Sequence, residues 1–263
     1  MTMTALDAAH AAMEAAPEDD GARLRFYERL ADDVLFLMLE AEAEGETLSP
    51  RVFDLDEGPV VLAFDLEERL ADFTGGVVTA YAALPGRVIA AQLAGRGTGL
   101  GLNLGVAPSA FLIPAEALDW LAEVLEQAPA EVEDRPVAFH APDGLPEVLV
   151  AGLRTKLLRA GGLAAAAWLC GVGYAGGRRG HLLAFAGAAP GAEPALARAA
   201  GEALTFCGID AGEMDVAFLA PGDPMLEALA GVALKFDLPR PVPPEPAAPA
   251  APGMDPARPP ILK

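Results

Sequence analysis

Residues 171–176 have the glycine spacing of a dinucleotide-binding turn, G-x-G-x-x-G. In such a site the glycines follow a strand and open a helix, whose N-terminus holds the pyrophosphate. Here a second stretch of glycine and arginine, residues 177–180, comes next, and another apolar run follows it. This context favours a hairpin turn between two strands over a nucleotide site.

A second glycine-rich segment, residues 95–101, carries one cation, Arg96. The backbone amides of such a loop can form an anion-binding nest. The segment lacks the Gly-Lys-Ser or Gly-Lys-Thr ending of a phosphate-binding loop. We favour a tight turn that enters a closely packed strand, because glycines in strands often mark close backbone approach. If a small anion or an acidic tail binds here, the expected contacts are Arg96, Thr98 and Asn103.

Metal-ligating residues are too scattered to predict a metal site. Zinc sites need clustered ligands at defined spacing, and no histidine here has a second histidine or cysteine within four residues. The two cysteines, Cys170 and Cys207, lie in apolar runs, which indicates buried free thiols in a reducing compartment. We expect neither a metal nor a cofactor.

No arrangement of nucleophile and base is evident. The chain's serines, Ser49 and Ser109, are not in a G-x-S-x-G turn, and neither cysteine has a charged neighbour that would lower its pKa. The carboxylates fall mainly in acidic runs such as residues 40–46, which is typical of a solvated turn. The sequence therefore predicts no catalytic residues and a protein that is not an enzyme. An unrecognised enzyme is the lowest-ranked alternative.

Charge limits the possible partners. The chain has 38 Asp and Glu against 18 Lys and Arg, a formal net charge of -20. A polyanion repels nucleic acid and anionic lipid, so we expect a protein partner, with a basic protein as the candidate that the charge favours. Residues 160–177 are uncharged but rich in Ala and Gly and flanked by cations, which argues against a membrane span.

The N-terminal residues lack the basic and apolar regions of a secretory signal, so we expect a cytoplasmic protein. Lysine is scarce, whereas Arg, Ala, Gly and Pro are abundant. We interpret this composition as that of a GC-rich bacterial genome.

The periodicity of apolar residues predicts an α+β protein of two small domains. Each is expected to be a mostly antiparallel sheet with helices packed on one face. Residues 1–128 form the first domain and residues 146–237 the second, in the order α-β-β-α-β-α. A proline-containing stretch, residues 129–145, is the expected linker. Residues 238–263, rich in Pro and Ala, are the expected disordered tail.

The order of short motifs along about residues 20–237 resembles the SseB family, which is named for enhanced serine sensitivity. The motifs that carry the resemblance are Phe26-Tyr27, Val34–Leu39, Val60–Phe64, Leu66–Phe73, Leu84-Pro85-Gly86, Gly99–Asn103 and Leu112-Ile113-Pro114 in the first half, and Pro146–Leu158, His181–Leu183 and Leu229–Phe236 in the second. The resemblance implies an SseB-like N-terminal and C-terminal domain. The family supplies no catalytic residues to transfer.

Two functional hypotheses follow. The first is a non-enzymatic interaction or regulatory protein that offers a sheet face or edge to a partner. The second is a module that senses an amino acid or another small anion near Arg96 to Asn103. Serine is the obvious candidate because of the family name. A concave pocket with converging polar groups beside that loop would favour the second hypothesis.

Overall fold

The computed structural model describes residues 2–42, 47–56, 58–127, 134–208 and 214–239. The helices are α1 Ala5–Ala15, α2 Asp20–Asp32, α3 Glu67–Phe73, α4 Gly86–Leu93, α5 Ala115–Glu126, α6 Glu147–Arg159, α7 Glu193–Phe206 and α8 Pro224–Ala230. The strands are β1 Val34–Met38, β2 Val52–Leu55, β3 Gly58–Phe64, β4 Tyr81–Pro85, β5 Gly99–Leu102, β6 Phe111–Ile113, β7 Pro136–His140, β8 Ala166–Tyr174, β9 Arg179–Ala186, β10 Met214–Leu219 and β11 Leu234–Asp237.

The N-terminal sheet has the strand order β4-β1-β3-β5-β6, and β2 pairs with β3. All of its pairs are antiparallel except β3 with β5. Strand residues alternate between faces, so Leu35 and Leu37 of β1 point to the inner face. There they join α1, α2, α4 and α5 in the main core.

Local sequence explains where these helices begin. Thr4 and Asp7 form a reciprocal capping box at the start of α1, and Asp19 caps α2. Helix α4 begins at Gly86, where a Cβ atom would lie 1.8 Å from the carbonyl oxygen of Leu30 in α2. Only glycine therefore permits this approach between the two helices.

The C-terminal sheet has the order β10-β9-β8-β11, and β7 pairs with the second half of β8. The pair β9 and β10 is parallel and is connected through α7, whereas the other pairs are antiparallel. Helices α6 and α7 cover the inner face and complete the second core.

A short helix lies on the second, outer face of each sheet. Helix α3 places Leu70 over Leu62 and Phe64 of the N-terminal sheet. Helix α8 places Leu229 over Cys170 and Val172 of the C-terminal sheet. The expectation of helices on one face therefore holds for the long helices, while one short helix in each domain covers part of the other face.

The two domains meet through their inner helices. Helix α7 of the C-terminal domain packs against α2 and α5. Its last residue, Phe206, is fully buried and belongs to the core of the N-terminal domain. The Phe206 ring lies edge-on to that of Trp120, with centroids 6.5 Å apart.

Charged side chains of α2, α4, α6 and α7 form ion pairs at this interface. The Arg87 guanidinium lies 3.0 Å from Glu202 and 2.5 Å from Asp32. The Lys156 ammonium lies 2.8 Å from Glu202 and 3.0 Å from Asp32. Burial alone would raise the pKa of Asp32, but Lys156 and Arg87 outweigh it and lower the pKa. Truncating one cation would leave the two carboxylates to share the other, and truncating both would leave them buried without a partner.

The predicted fold class is confirmed: two sheets, mostly antiparallel, with helices in two domains. Two strands were missing from the prediction. Strand β7 lies inside the stretch expected to be a linker, and β11 follows the last predicted helix. The strand expected at residues 77–82 begins later, at Tyr81.

The C-terminal end of the second domain also extends beyond its predicted limit. Leu238 is buried in the second core, and the carbonyl of Pro239 accepts a hydrogen bond from the amide of Gly162. The remainder of the predicted disordered tail, residues 240–263, lies outside the described residues. In the part of the chain that the structure describes, every helix is too short or too polar to cross a membrane.

Candidate protein-binding surface

The glycine-rich loop is a tight turn that leads into β5. Arg96 is exposed and Thr98 is half-buried. The amide of Gly95 donates a 2.7 Å hydrogen bond to Asp119 at the start of this loop, so a carboxylate of the protein already occupies this donor. A Cβ atom on Gly99 would lie 2.7 Å from the carbonyl oxygen of Ile113. This close approach explains the glycine without a ligand.

Asn103 does not share a site with Arg96 and Thr98, because it follows β5 and they precede it. Its side chain is fully buried, and its backbone φ is 49°, in the left-handed region. The side-chain oxygen of Asn103, Oδ1, accepts a hydrogen bond from the backbone amide of Asp65. The side-chain nitrogen, Nδ2, donates to the Ser109 hydroxyl. Asn103 is therefore occupied within the protein and is not available to a ligand.

Asn103 belongs to a buried polar network centred on Arg69 of α3. The Arg69 guanidinium lies 2.5 Å from Asp7 and 2.7 Å from Asp65. The Ser109 hydroxyl also donates to Asp7. Burial by itself raises the pKa of Asp7, but the hydrogen bonds from Arg69 and Ser109 outweigh burial and hold this pKa well below its ordinary value.

This network has the residue types of an active site, but solvent does not reach it. The side chains of Arg69, Asp7 and Asp65 are only 4%, 2% and 3% exposed. Its members join α1 to α3 across 62 residues of sequence. We interpret the network as the attachment of α3 to the first domain.

The second glycine motif forms a hairpin turn, as predicted. Its first residues lie in β8, and the chain continues through residues 175–178 directly into β9. Both cysteines are free. Burial raises the pKa of the Cys170 and Cys207 thiols to about 11, so neither is an activated nucleophile.

Within the described residues, His, Cys and carboxylate side chains do not cluster as a metal site would require. One cavity, of about 440 Å³, lies in the C-terminal domain between Gly162, Gly187 and Pro239. Asp237 is its one charged lining residue, so this cavity does not bring together the converging polar groups that ligand sensing requires. It also lies in the other domain from the loop that carries Arg96.

The surface that stands out is the outer face of β1 and β4, which α3 covers only in part. Phe36 packs against the cluster that contains Leu70 of α3, whereas Val34, Tyr81, Ala83 and Pro85 are exposed. We call this surface the open face and define it by Val34, Phe36, Tyr81, Ala83 and Pro85. In the register of the two strands these residues alternate with those that point into the core. The side chains of Val34 and Tyr81 are 50% and 38% exposed.

The apolar surface continues beyond the strands. Val77 and Val78, which lead into β4, are 68% and 97% exposed, and Phe73 at the end of α3 is also exposed. The Tyr81 ring packs edge-on against Phe36, with centroids 5.5 Å apart. Single exposed apolar residues are ordinary, whereas larger exposed apolar patches are candidates for interaction surfaces.

Carboxylates border the open face at its Tyr81 end. The Tyr81 hydroxyl donates a 2.9 Å hydrogen bond to Glu67. This bond, together with burial and the charge of Glu42, raises the pKa of Tyr81. Residues 34–85 contain eleven Asp and Glu but only two Arg, and one of these, Arg69, is buried with its own carboxylates. Glu67 and Glu42 therefore make the Tyr81 end of the open face negatively charged.

These features define a class of protein: a two-domain α+β protein with one uncovered, acid-bordered sheet face. Residues 6–120 match the SseB protein N-terminal domain. The resemblance found in the sequence is confirmed over these residues. An SseB-like C-terminal domain stays a prediction. No curated protein and no solved structure matches the chain.

Proposed function

We propose that the protein is a non-enzymatic interaction protein of the cytoplasm that binds a basic protein through the open face. The observation that carries this proposal is the exposed apolar surface of β1 and β4 beside Glu67 and Glu42. Apolar contacts at the centre of such a surface contribute most of the affinity, and charges at the rim guide the partner and fix its orientation.

The net charge of -20 supports a basic partner over an acidic or neutral one. Cys170 and Cys207 are both free, and Cys170 is buried, which agrees with a reducing compartment. The positions of Arg96 and Asn103 at opposite ends of β5 favour this proposal over the sensing of a small anion, since the two side chains do not converge on a pocket.

The test is affinity capture with the full chain, followed by titration of the purified captured protein. We compare the unaltered chain with Tyr81→Ser, which removes an apolar side chain of the open face. The matched control is Val137→Ser, since Val137 is an apolar residue of the C-terminal sheet that is 61% exposed. We expect Tyr81→Ser to weaken binding about tenfold, as loss of a central aromatic contact does, and Val137→Ser to leave it unchanged.

Salt gives the second part of the test. Because charge at the rim attracts the partner, affinity should fall as ionic strength rises. Equal binding by Tyr81→Ser and the unaltered chain, or affinity that does not change with salt, would overturn the proposal. A rise in melting temperature with serine that is lost in Arg96→Ala would favour the sensing hypothesis instead.

A further inference from the structure

The edge of β4 that does not face β1 carries backbone amide and carbonyl groups that can pair with another strand. We propose that the basic partner binds there as an added β-strand, in an extended conformation. This inference rests on the proposed function, because it assigns the way in which the same partner is held. Strand addition to an exposed sheet edge is a recurrent mode of peptide recognition, in which backbone hydrogen bonds supply affinity and alternate side chains supply specificity.

The register of β1 and β4 shows which backbone groups of β4 are free. The amide of Leu39 donates to the carbonyl of Ala80, and the amide of Gly86 donates to the carbonyl of Asp33. In an antiparallel pair, bonded residues alternate with residues whose amide and carbonyl groups point away. The backbone groups of Tyr81 and Ala83 therefore point to the free edge. No hydrogen bond to them is found among the described residues.

The sequence of this edge lacks the devices that keep other edges from pairing. Residues 77–84 carry no charge and include Val77 and Val78, the two most exposed valines of the described residues. Proteins normally protect edges with charges, prolines, bulges or very short strands. The opposite edge strand, β6, has three residues and is followed by Pro114, and β7 begins at a proline and contains a register shift. The one protective feature of β4 is a proline, Pro85, at its last position.

Charge decides between a second copy of this chain and a different partner. Two copies would each bring a net charge of -20 to the contact, and like charges oppose association. An extended basic segment gains from the same field. We therefore assign the edge to a segment of another protein with Lys or Arg placed near Glu67 and Glu42. Its apolar side chains at alternate positions would continue the open face beyond Tyr81.

The experiment uses the full chain and a synthetic peptide as the probe. The peptide alternates Val and Thr and carries Lys at both ends, and its counterpart carries Glu at both ends. Amide hydrogen exchange is followed by NMR. With the Lys-ended peptide we expect the amides of Tyr81 and Ala83 to exchange about tenfold more slowly, because each gains a hydrogen bond. The Glu-ended peptide should leave both rates unchanged.

Two substitutions at one position separate the edge from the face. Ala83→Pro removes the outward-pointing amide hydrogen and keeps the pairing with β1, since proline is tolerated on an edge strand. Ala83→Ser keeps that hydrogen. We expect Ala83→Pro to weaken peptide binding about tenfold, the effect of one lost hydrogen bond, and Ala83→Ser to bind as the unaltered chain does.

Each contrary result has a separate meaning. If Ala83→Pro binds the peptide normally while Tyr81→Ser does not, the partner lies on the face without adding a strand. The inference then fails and the proposed function stands. Failure of both peptides to bind also overturns the inference, whereas the proposed function is still judged by the captured protein. A dimer in sedimentation that becomes a monomer in Ala83→Pro would assign the edge to a second copy and overturn the inference.

Discussion

The short helices α3 and α8 cover corresponding places in the two domains, but they are held by different forces. Helix α3 is attached through Arg69, which is bonded to two buried carboxylates. Helix α8 is attached through Leu229, which is fully buried in an apolar cluster. Helix α3 also makes an apolar contact, through Leu70 over Leu62 and Phe64. The two attachments therefore differ in the buried ion pairs that Arg69 adds to α3.

The largest effect is expected from Arg69→Met. This change leaves Asp7 and Asp65 buried without their cation, and breaking a buried ion pair in this way costs about 3–5 kcal/mol. Urea unfolding followed by fluorescence should show that loss in the free energy of unfolding. The control is Arg178→Met in the second domain, where an arginine with a 43% exposed side chain pairs with two carboxylates at the surface.

Exposed pairs contribute only about 0–1 kcal/mol, so Arg178→Met should unfold nearly as the unaltered chain does. If the two arginine variants lose equal stability, the ionic attachment of α3 is not what distinguishes the two domains.

A smaller or similar effect is expected from Leu229→Ala, which creates a cavity under α8 and should cost about 2–5 kcal/mol. The chain has two tryptophans, Trp120 in the first domain and Trp168 in the second. Because Trp168 packs in the same cluster as Leu229, its fluorescence should change before that of Trp120 as urea rises. A change led by Trp120 would show that α8 does not hold its sheet as described.

The smallest effects are those of pH, and they should have opposite directions in the two domains. The folded pKa of Asp7 lies below its ordinary value of about 3.9. Its contribution to stability is therefore present above that pH and is lost as pH falls below it. The folded pKa of Cys170 is raised to about 11 by burial. The contribution of this thiol is present below its ordinary pKa of about 8.5 and is lost as pH rises toward 11.

Unfolding free energies measured in acid and in alkali would check both signs. Cys170→Ala should show a shallower loss of stability in alkali than the unaltered chain, with the same loss in acid. Asp7→Asn should show the reverse pattern. A variant whose pH slopes match those of the unaltered chain on both sides would contradict the assignment for that residue.

Elements with local signals could be predicted from the sequence. Helix α7, for example, has such signals at both ends: it begins at Glu193-Pro194, and Gly208 follows two residues after its last residue. Strand β7 could not be found, since it starts at a proline in a region of mixed composition. Its pairing is with β8, about thirty residues further along the chain. Strand β11 was missed for a similar reason, because its partner is also β8.

The candidate surface was predictable only in part. The expectation that a sheet face or edge would be available to a partner does not depend on any particular residue. Our proposal assigns that surface to β1 and β4. The bonds of the Asn103 side chain to Asp65 and Ser109 could not be predicted, because nothing local distinguishes an amide that binds a ligand from one that binds other residues of the protein. The pairing of Arg69 with Asp7 spans 62 residues, and such contacts leave no trace in local spacing.

The position of Phe206 has a consequence for folding during synthesis of the chain. This residue completes the core of the first domain, yet it is synthesised about eighty residues after α5 ends. At about 5–20 residues per second this interval lasts about 4–16 seconds. During that time the core of the first domain lacks Phe206, which packs against Trp120. This contact forms only when α7 of the second domain has been synthesised. Completion of the first core therefore depends on synthesis of the second domain. A fragment that ends at Gln127 would lack Phe206, and its core would stay incomplete.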